Sequence, residues 1–438
     1  MCREIDVHLL VPAPGSGTGI LVRQIDRTLA CVRTELADDD TLVVALHRHL
    51  QDRWALDATI LETYLPFAGR SRSMMALAAL DAPSPDWRPP DGLAWGAAPQ
   101  ALPGPVAARA RTWLGEWSGA ALPPSDRPRW SRPGWHERAA AWIDGALMSA
   151  GQRRTGPIEV RRLWSLSALM RISTDSGDAW FKAVFPQFHH EPAVTDLLAG
   201  VAPQAVPTVL ARNDEAGWLL LDDVPGAALD VSTDAAAITG AVRALVDVQR
   251  RVLDRHGELR ALGVPHRPMR ELATGLREAI ATAAVMDELL ADPARASSIV
   301  GWVDDRASWL DGIGLPEMIV HGDFNRSNVL TPPGGSVIID WSDAAIAHPL
   351  LDVAVWLVHP QGRFGPDDPS WPAWLDALAP FADTAPLRDE LETVFGLGAA
   401  YQVVSYADIL LGVEPALRYQ VNDGLRDFWN LLDAAVPR

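Results

Sequence analysis

Two aspartates and an asparagine near the C-terminal end carry the clearest chemistry in the chain. The segment Ile319-Val320-His321-Gly322-Asp323-Phe324-Asn325-Arg326-Ser327-Asn328-Val329-Leu330 is followed by the turn Pro332-Pro333-Gly334-Gly335 and by Ser336-Val337-Ile338-Ile339-Asp340-Trp341. In compressed form this is H-x-D-x4-N, then a hairpin, then an apolar strand ending in Asp. The spacing puts two carboxylates and one carboxamide at the ends of neighbouring strands. Their oxygens are hard ligands of the kind Mg²⁺ takes. Phosphoryl transfer needs a carboxylate beside the substrate hydroxyl to accept its proton, and further oxygens to hold metal against the phosphates. Asp323 suits the first task, and Asn328 and Asp340 suit the second.

Such chemistry also needs a cation for the phosphates. Of the 38 lysine and arginine residues, one alone, Lys182, is lysine. It sits in the middle of an apolar strand-like run, Ala179 to Val184, and Glu191 opens the helix-like segment that follows. A compact ammonium and a planar guanidinium are not interchangeable at such a position. Taken alone, Lys182 and Glu191 would also fit a surface ion pair.

The elements that must position these residues fall into two halves. Leu163 to Ile172, Ala179 to Val184, Pro207 to Leu210 and Trp218 to Leu221 read as strands, with a turn at Asp175-Ser176-Gly177-Asp178. Glu191 to Leu198 reads as a helix between them. Beyond Asp222-Asp223-Val224-Pro225-Gly226 the pattern turns helical, Ala235 to Leu253 being the clearest case, and only the hairpin from Asn328 to Asp340 interrupts it. A strand-rich half followed by a helical half implies two lobes with a cleft between them.

The motif resembles that of the aminoglycoside phosphotransferase and choline kinase family, whose members share a two-lobed protein-kinase-like fold. The continuation Asp343-Ala344-Ala345, His348-Pro349 and Asp352-Val353-Ala354 is similar as well, and the resemblance covers roughly residues 136 to 438. It implies that Asp323 is the catalytic base and that Asn328 and Asp340 hold Mg²⁺. It implies further that Lys182 binds the phosphates of ATP or GTP, that Glu191 orients Lys182, and that Asp352 supports the catalytic loop. His321 is expected to buttress the loop rather than move protons. The short segment Leu221 to Pro225, with Asp222 and Val224 in it, resembles the hinge whose backbone meets the purine. The phosphate-covering loop falls at Ser165-Leu166-Ser167, where Ser165 and Ser167 are the candidate contacts. This loop departs from the expected pattern in having no glycine.

Residues 1 to 122 lie outside that resemblance. Ile5 to Val11, Ile20 to Val22 and Ile60 to Phe67 read as strands, and Leu42 to Trp54 as an amphipathic helix. Pro12 to Gly19 reads as a hairpin loop, because no Gly-Lys-Ser follows its glycines. The order of elements is faintly similar to a Nudix hydrolase, but His49 and Gln51 stand where acids would bind metal, and only Asp52 remains. An unrelated small α/β domain fits the same pattern. Dimerisation through this domain, or covering of the kinase N-lobe, are the roles it suggests. Trp113, Trp117, Trp130 and Trp135 are expected to pack rather than to stack a ligand.

The fold expected is therefore α+β. A small α/β domain (1–122) and a Pro-rich linker (123–135) precede a β-rich N-lobe (136–225) and a helical C-lobe (226–438). The activity expected is transfer of the γ-phosphoryl group of ATP or GTP to a hydroxyl of an aminoglycoside-like natural product or amino sugar. A choline, homoserine or sugar kinase of primary metabolism is the alternative, and a nucleotide-binding pseudokinase regulator is a third reading. The net charge of −18 opposes nucleic-acid binding, which needs clustered cations. No apolar run is read as a membrane span, and Met1 to Asp6 lacks the pattern of a signal peptide. Two cysteines, Cys2 and Cys31, make no disulfide framework. Together these favour a cytoplasmic protein. Acidic residues beyond Pro360, namely Asp408, Glu414 and Asp423, could serve a cationic acceptor, but they read first as solvated helix faces.

Overall fold

The computed structural model describes residues 3–15, 19–36, 41–65, 73–230, 234–286, 288–289, 291–359, 362–365 and 367–438. Cys2, the middle of the 12–19 loop and the end of the strand expected at 60–67 lie outside these residues. The chain forms two compact units: residues 1–183 with 413–420, and residues 184–412 with 421–438. Strands are concentrated before Asp222 and helices after it, in agreement with the α+β expectation.

The first unit begins with β1 (Arg3–Leu10), β2 (Ile20–Arg23), β3 (Ala30–Leu36), α1 (Leu42–Trp54), β4 (Ile60–Tyr64), β5 (Ser73–Leu80) and β6 (Leu93–Gly96). Four of these strands make a sheet in the order β3-β1-β5-β4, with β1 antiparallel to β3 and parallel to β5. Alternation fixes the register: Ile5, Val7 and Leu9 are fully buried on β1. The helix α1 turns Leu42, Val43, Ala45, Leu46 and Leu50 inward and exposes Gln51 and Asp52. Next come α2 (Ala107–Trp117) and α3 (Trp135–Ser149), then β7 (Arg154–Leu163), β8 (Ser167–Thr174) and β9 (Gly177–Val184) as neighbouring strands.

The Pro-rich segment expected as a linker (123–135) is buried in part. Arg127, Trp130, Ser131 and Trp135 are all buried in the first unit, with Trp130 edge-on to Trp135. Prolines stop helix and sheet without preventing burial. The strand expected at 163–172 is also two elements, because a tight turn at Trp164–Leu166 separates β7 from β8.

The second unit opens with α4 (Glu191–Val201), the antiparallel pair β10 (Val209–Asn213) and β11 (Trp218–Asp222), β12 (Ala227–Ala228) and α5 (Ala235–Arg251). The helices α6 (His256–Ala261), α7 (Leu272–Val285) and α8 (Pro293–Asp311) follow. Short strands come next: β13 (Met318–Val320), β14 (Val329–Thr331), β15 (Val337–Ile338) and β16 (Ala345–Ala347). They hold the motif between them, since β13 pairs with β16 and β14 with β15. The unit ends with α9 (Val353–Leu357), α10 (Ser370–Leu378), α11 (Leu391–Gly412) and α12 (Asn422–Ala435).

One expectation changes here. The 22-residue α11 is long and apolar enough to cross a membrane, contrary to the sequence reading. Yet 78% of its most apolar window is buried inside the protein, as in the core helix of a globular fold.

Candidate active site

The motif loop runs from β13 to β14, and most of its polar side chains take part in a hydrogen bond or ion pair. Asp352, 1% exposed, accepts the backbone N–H of His321 at 2.9 Å and that of Gly322 at 2.8 Å. His321 Nε2 donates to the carbonyl of Ile339 at 2.9 Å, which leaves Nδ1 to accept the N–H of Asp323 at 3.3 Å. One tautomer therefore satisfies both bonds. Gln402, from α11, donates to the carbonyl of Gly322 at 2.6 Å. Gly322 has φ +81°, and a Cβ there would stand 2.1 Å from the carbonyl oxygen of Asp343, so no other residue fits.

On this frame Asp323 is held from two sides. Asn325 Nδ2 donates to Asp323 Oδ1 at 3.1 Å. Asn328 Nδ2 donates to Asp323 Oδ2 at 3.1 Å and to its carbonyl at 2.9 Å. With both amide hydrogens of Asn328 directed at Asp323, its Oδ1 is the atom left for a ligand. The oxygen of Asn325 caps the following turn by accepting the N–H groups of Ser327 and Asn328 at 2.9 and 3.2 Å. Arg326 anchors the loop from below. Its guanidinium pairs with Asp368 and lies 3.5 Å from the centre of the Phe364 ring.

Asp340 sits at the end of β15 in the left-handed region, φ 66° and ψ 64°. This strained turn is the kind of backbone found at functional sites. Ser342 Oγ lies 2.7 Å from Asp340 Oδ1 and 3.2 Å from Asp343 Oδ2, bridging the two carboxylates. Burial, with the neighbouring charge of Asp340, pushes the Asp323 carboxyl up to about 7, against the lowering effect of Asn325 and Asn328. Burial and the charges of Asp323 and Asp340 likewise push Asp343 up to about 7. Burial also raises Asp352 to about 7, opposed by its two backbone donors. Asp323, Asn328, Asp340 and Asp343 are nevertheless partly open to solvent, whereas His321 and Asp352 are closed off. The open set can meet a ligand and the closed set can only support it.

Among the described residues no group of three or more His, Cys, Asp or Glu side chains forms a ready-made metal cage. Mg²⁺ takes one or two protein oxygens and completes its shell with phosphates and water. The Oδ1 of Asn328 and the carboxylate of Asp340 fit that requirement.

The remaining predicted residues divide between the units. Lys182 lies on β9 and Ser165 and Ser167 at the β7–β8 turn, all in the first unit and all buried. Glu191, Asp222 and Val224 belong to the second. Glu191 opens α4 and is 1% exposed. The N–H of Asp222 is bonded to the carbonyl of Thr208 at 3.0 Å, inside the β10–β11 pair. The N–H of Ser165 is bonded to Gln420 at 2.8 Å, and Ser167 Oγ accepts from the Trp164 indole at 2.8 Å. Glu414 is no acceptor ligand: it is buried against Arg109 and Arg127 in the first unit.

Sequence reasoning missed Asn325 and Gln402, and it named Asp343 only as part of the continuation, without a role at the site. Asn325 is visible in hindsight, because an Asx residue two positions after an Asp can cap the next turn. Gln402 lies 80 residues from Gly322 and leaves no local signal.

The phosphotransferase enzyme family (APH) matches residues 167–390, just over half of the chain. The chain belongs to that family. Among solved structures it is similar to the GDP and kanamycin complex of APH(2")-IIia, at 18% identity and a TM-score of 0.48, covering 68% of this chain and 98% of that one. It is also similar to a choline/ethanolamine kinase family protein from Mesorhizobium loti, at 18% identity and a TM-score of 0.48, covering 69% and 98%. A fructosamine-3-kinase described as putative, from Thermobifida fusca, is similar at 17% identity and a TM-score of 0.43, covering 66% and 98%. No curated protein matches the chain.

Proposed function

We propose that the protein is a small-molecule kinase that moves the γ-phosphoryl group of ATP or GTP to an acceptor hydroxyl. The observation that carries this reading is the carboxylate of Asp323, held open between two asparagine amides on a loop that Asp352 and Gln402 fix from behind. A carboxylate fixed in this way can orient the hydroxyl and take its proton. The acceptor oxygen then bonds to the γ-phosphorus as the bond to the bridging oxygen breaks, and the nucleoside diphosphate leaves. Bound Mg²⁺, held by Asn328 Oδ1 and Asp340, would neutralise charge on the phosphate oxygens. Lys182 is assigned to the α- and β-phosphates and Glu191 to orienting Lys182. The segment from Asp222 to Val224 is assigned to the purine.

The acceptor is proposed to be an amino sugar or an aminoglycoside-like compound. A cavity of about 270 Å³ within the second unit reaches Ser342 and Asp343 and is lined also by Ser405, Asp408 and Arg267. Hydroxyl and carboxylate groups of this kind suit a ring bearing hydroxyls and amines. A choline-, homoserine- or sugar-kinase activity is the second reading, because the phosphoryl chemistry would be the same.

The test is nucleoside diphosphate release with Mg·ATP and Mg·GTP against a panel of aminoglycosides, amino sugars, choline, homoserine and simple sugars. Turnover with amine-bearing sugars supports the reading. Turnover confined to choline or homoserine moves the protein to the second reading, and nucleotide binding without turnover across the panel contradicts a kinase.

A further inference from the structure

The residues from Val413 to Gln420, between α11 and α12, leave the second unit and belong to the first. This tongue is fixed there by a buried ion network. Arg109, 3% exposed, pairs with Glu62 and with Glu414. Arg127, 2% exposed, bridges Glu414 at 3.3 Å and Glu116 at 2.7 Å, and stacks 4.2 Å from the Trp113 ring. The Trp113 indole donates to Glu62 at 3.2 Å. Burial by itself would weaken the Arg109 charge, but Glu62 and Glu414 more than reverse that, so Arg109 is held firmly protonated. Further along the tongue, Tyr419 Oη accepts the N–H of Leu65 at 2.9 Å and packs edge-on to Tyr64.

The end of the tongue touches the turn assigned above to the phosphates. Gln420 Oε1 accepts the N–H of Ser165 at 2.8 Å, while Gln420 Nε2 donates to Tyr419 Oη at 3.2 Å. A second element meets the same turn: the Trp130 indole, from the Pro-rich segment, donates to the carbonyl of Trp164 at 2.8 Å. The turn has no glycine and no residue at positive φ. Its Ser165 is 1% exposed, and the Ser165 hydroxyl has no partner among the described residues. A buried amide that loses its acceptor carries a full desolvation cost, so the bond to Gln420 favours this shape of the turn.

We infer that Gln420 is a positioning residue for the nucleotide: the tongue and the Pro-rich segment hold the β7–β8 turn from outside, replacing the internal freedom that glycines give such loops. The inference rests on the kinase reading above. It gives the N-terminal region a task in that reaction, namely to supply the anchor (Glu62, Arg109, Glu116 and Arg127) on which the tongue is fixed.

The experiment uses the full chain and isothermal titration with non-hydrolysable ATP and GTP analogues in the presence of Mg²⁺. Gln420→Met keeps length and removes the acceptor, while Gln420→Glu keeps an oxygen at the same reach. The expected result is a roughly three- to tenfold weaker nucleotide dissociation constant for Gln420→Met, the scale of one lost hydrogen bond, and recovery in Gln420→Glu. The melting temperature of Gln420→Met is expected to fall slightly, because the buried N–H of Ser165 loses its acceptor, and that of Gln420→Glu to stay nearer the wild-type value. Equal affinity in all three proteins, tighter binding by Gln420→Met, or an equal loss in both variants would overturn the inference. If the wild-type protein itself binds neither analogue, the kinase reading fails instead, and the two failures are thereby distinct.

Discussion

Asn328 donates from one amide nitrogen to both the carbonyl and the carboxylate of Asp323, at 2.9 and 3.1 Å. The bonds tie the carboxylate proposed as the base to the residue proposed for the metal, so the two are coupled. Asn328→Asp keeps an oxygen ligand but removes the donor, and it adds a charge beside Asp323, Asp340 and Asp343. The expected outcome is a fall in kcat of about a hundredfold or more, in the range for losing a positioned acid–base group. Steady-state kinetics over a range of Mg²⁺ concentrations checks it, since a defect in metal affinity alone would be recovered at high Mg²⁺.

Asp352 supports the loop from outside the open site. Asp352→Asn leaves one oxygen for two backbone donors and turns an amide N–H towards one of them. The loss of a charge-assisted bond together with an unsatisfied buried donor predicts a destabilisation of about 2–4 kcal/mol. Chemical denaturation measures it, and wild-type stability in this variant would contradict the buttressing role.

The buried imidazole of His348 makes part of the stability pH-dependent. Burial holds His348 down at about 3, against an ordinary value of 6.5. The unfolded chain therefore binds a proton at this site that the folded protein refuses, and the contribution is lost as pH falls from about 6.5 towards about 3. Asp323, Asp343 and Asp352, all raised to about 7, act in the opposite sense over the same range, gaining stability as pH falls. Their effect is common to wild type and His348→Gln. The stability gap between the two proteins is expected to narrow between pH 7 and pH 4, by up to about 1.4 kcal/mol per pH unit. Thermal denaturation of both proteins across that range reads the gap, and a constant gap would contradict the assignment.

Arg109→Leu removes one partner from the buried network and leaves Glu62 and Glu414 without it. Breaking a buried pair in this way is expected to cost about 3–5 kcal/mol. Limited proteolysis is expected to open the 413–420 tongue at lower denaturant than in wild type. An intact tongue and unchanged stability would show that the network is not what holds it.

The parts legible in the sequence are those with local signals. The helix α1 is found at its full extent from Leu42 to Trp54 because its apolar residues recur with helical period. The strand bearing Lys182 and the helix opened by Glu191 are bounded by a turn and by Pro192. By contrast, β3 and β5 escaped notice. In β3, Cys31, Arg33 and Glu35 alternate with buried residues, but no turn signal was read beside them, and β5 is a run of small and apolar residues, Ser73 to Leu80. The turn at Trp164–Leu166 holds neither glycine nor proline, so periodicity reads through it as strand, and only the resemblance puts a loop at Ser165-Leu166-Ser167. The ion network was out of reach for another reason: Arg109 and Glu414 are 305 residues apart, and each looks like a solvated surface charge until the chain folds. Within the site, Asp323, Asn328 and Asp340 form a recognisable spacing, while Gln402 reaches Gly322 through a distant contact that leaves no periodicity.

The most direct measurement of the central claim is single-turnover phosphoryl transfer by Asp323→Asn, alongside its affinity for Mg·ATP and Mg·GTP. The substitution keeps the size of the side chain and removes its ability to take a proton. The account predicts nucleotide affinity close to wild type and a transfer rate lower by about 10²- to 10⁴-fold. Transfer at the wild-type rate would contradict Asp323 as the base, and with it the kinase assignment built on this loop.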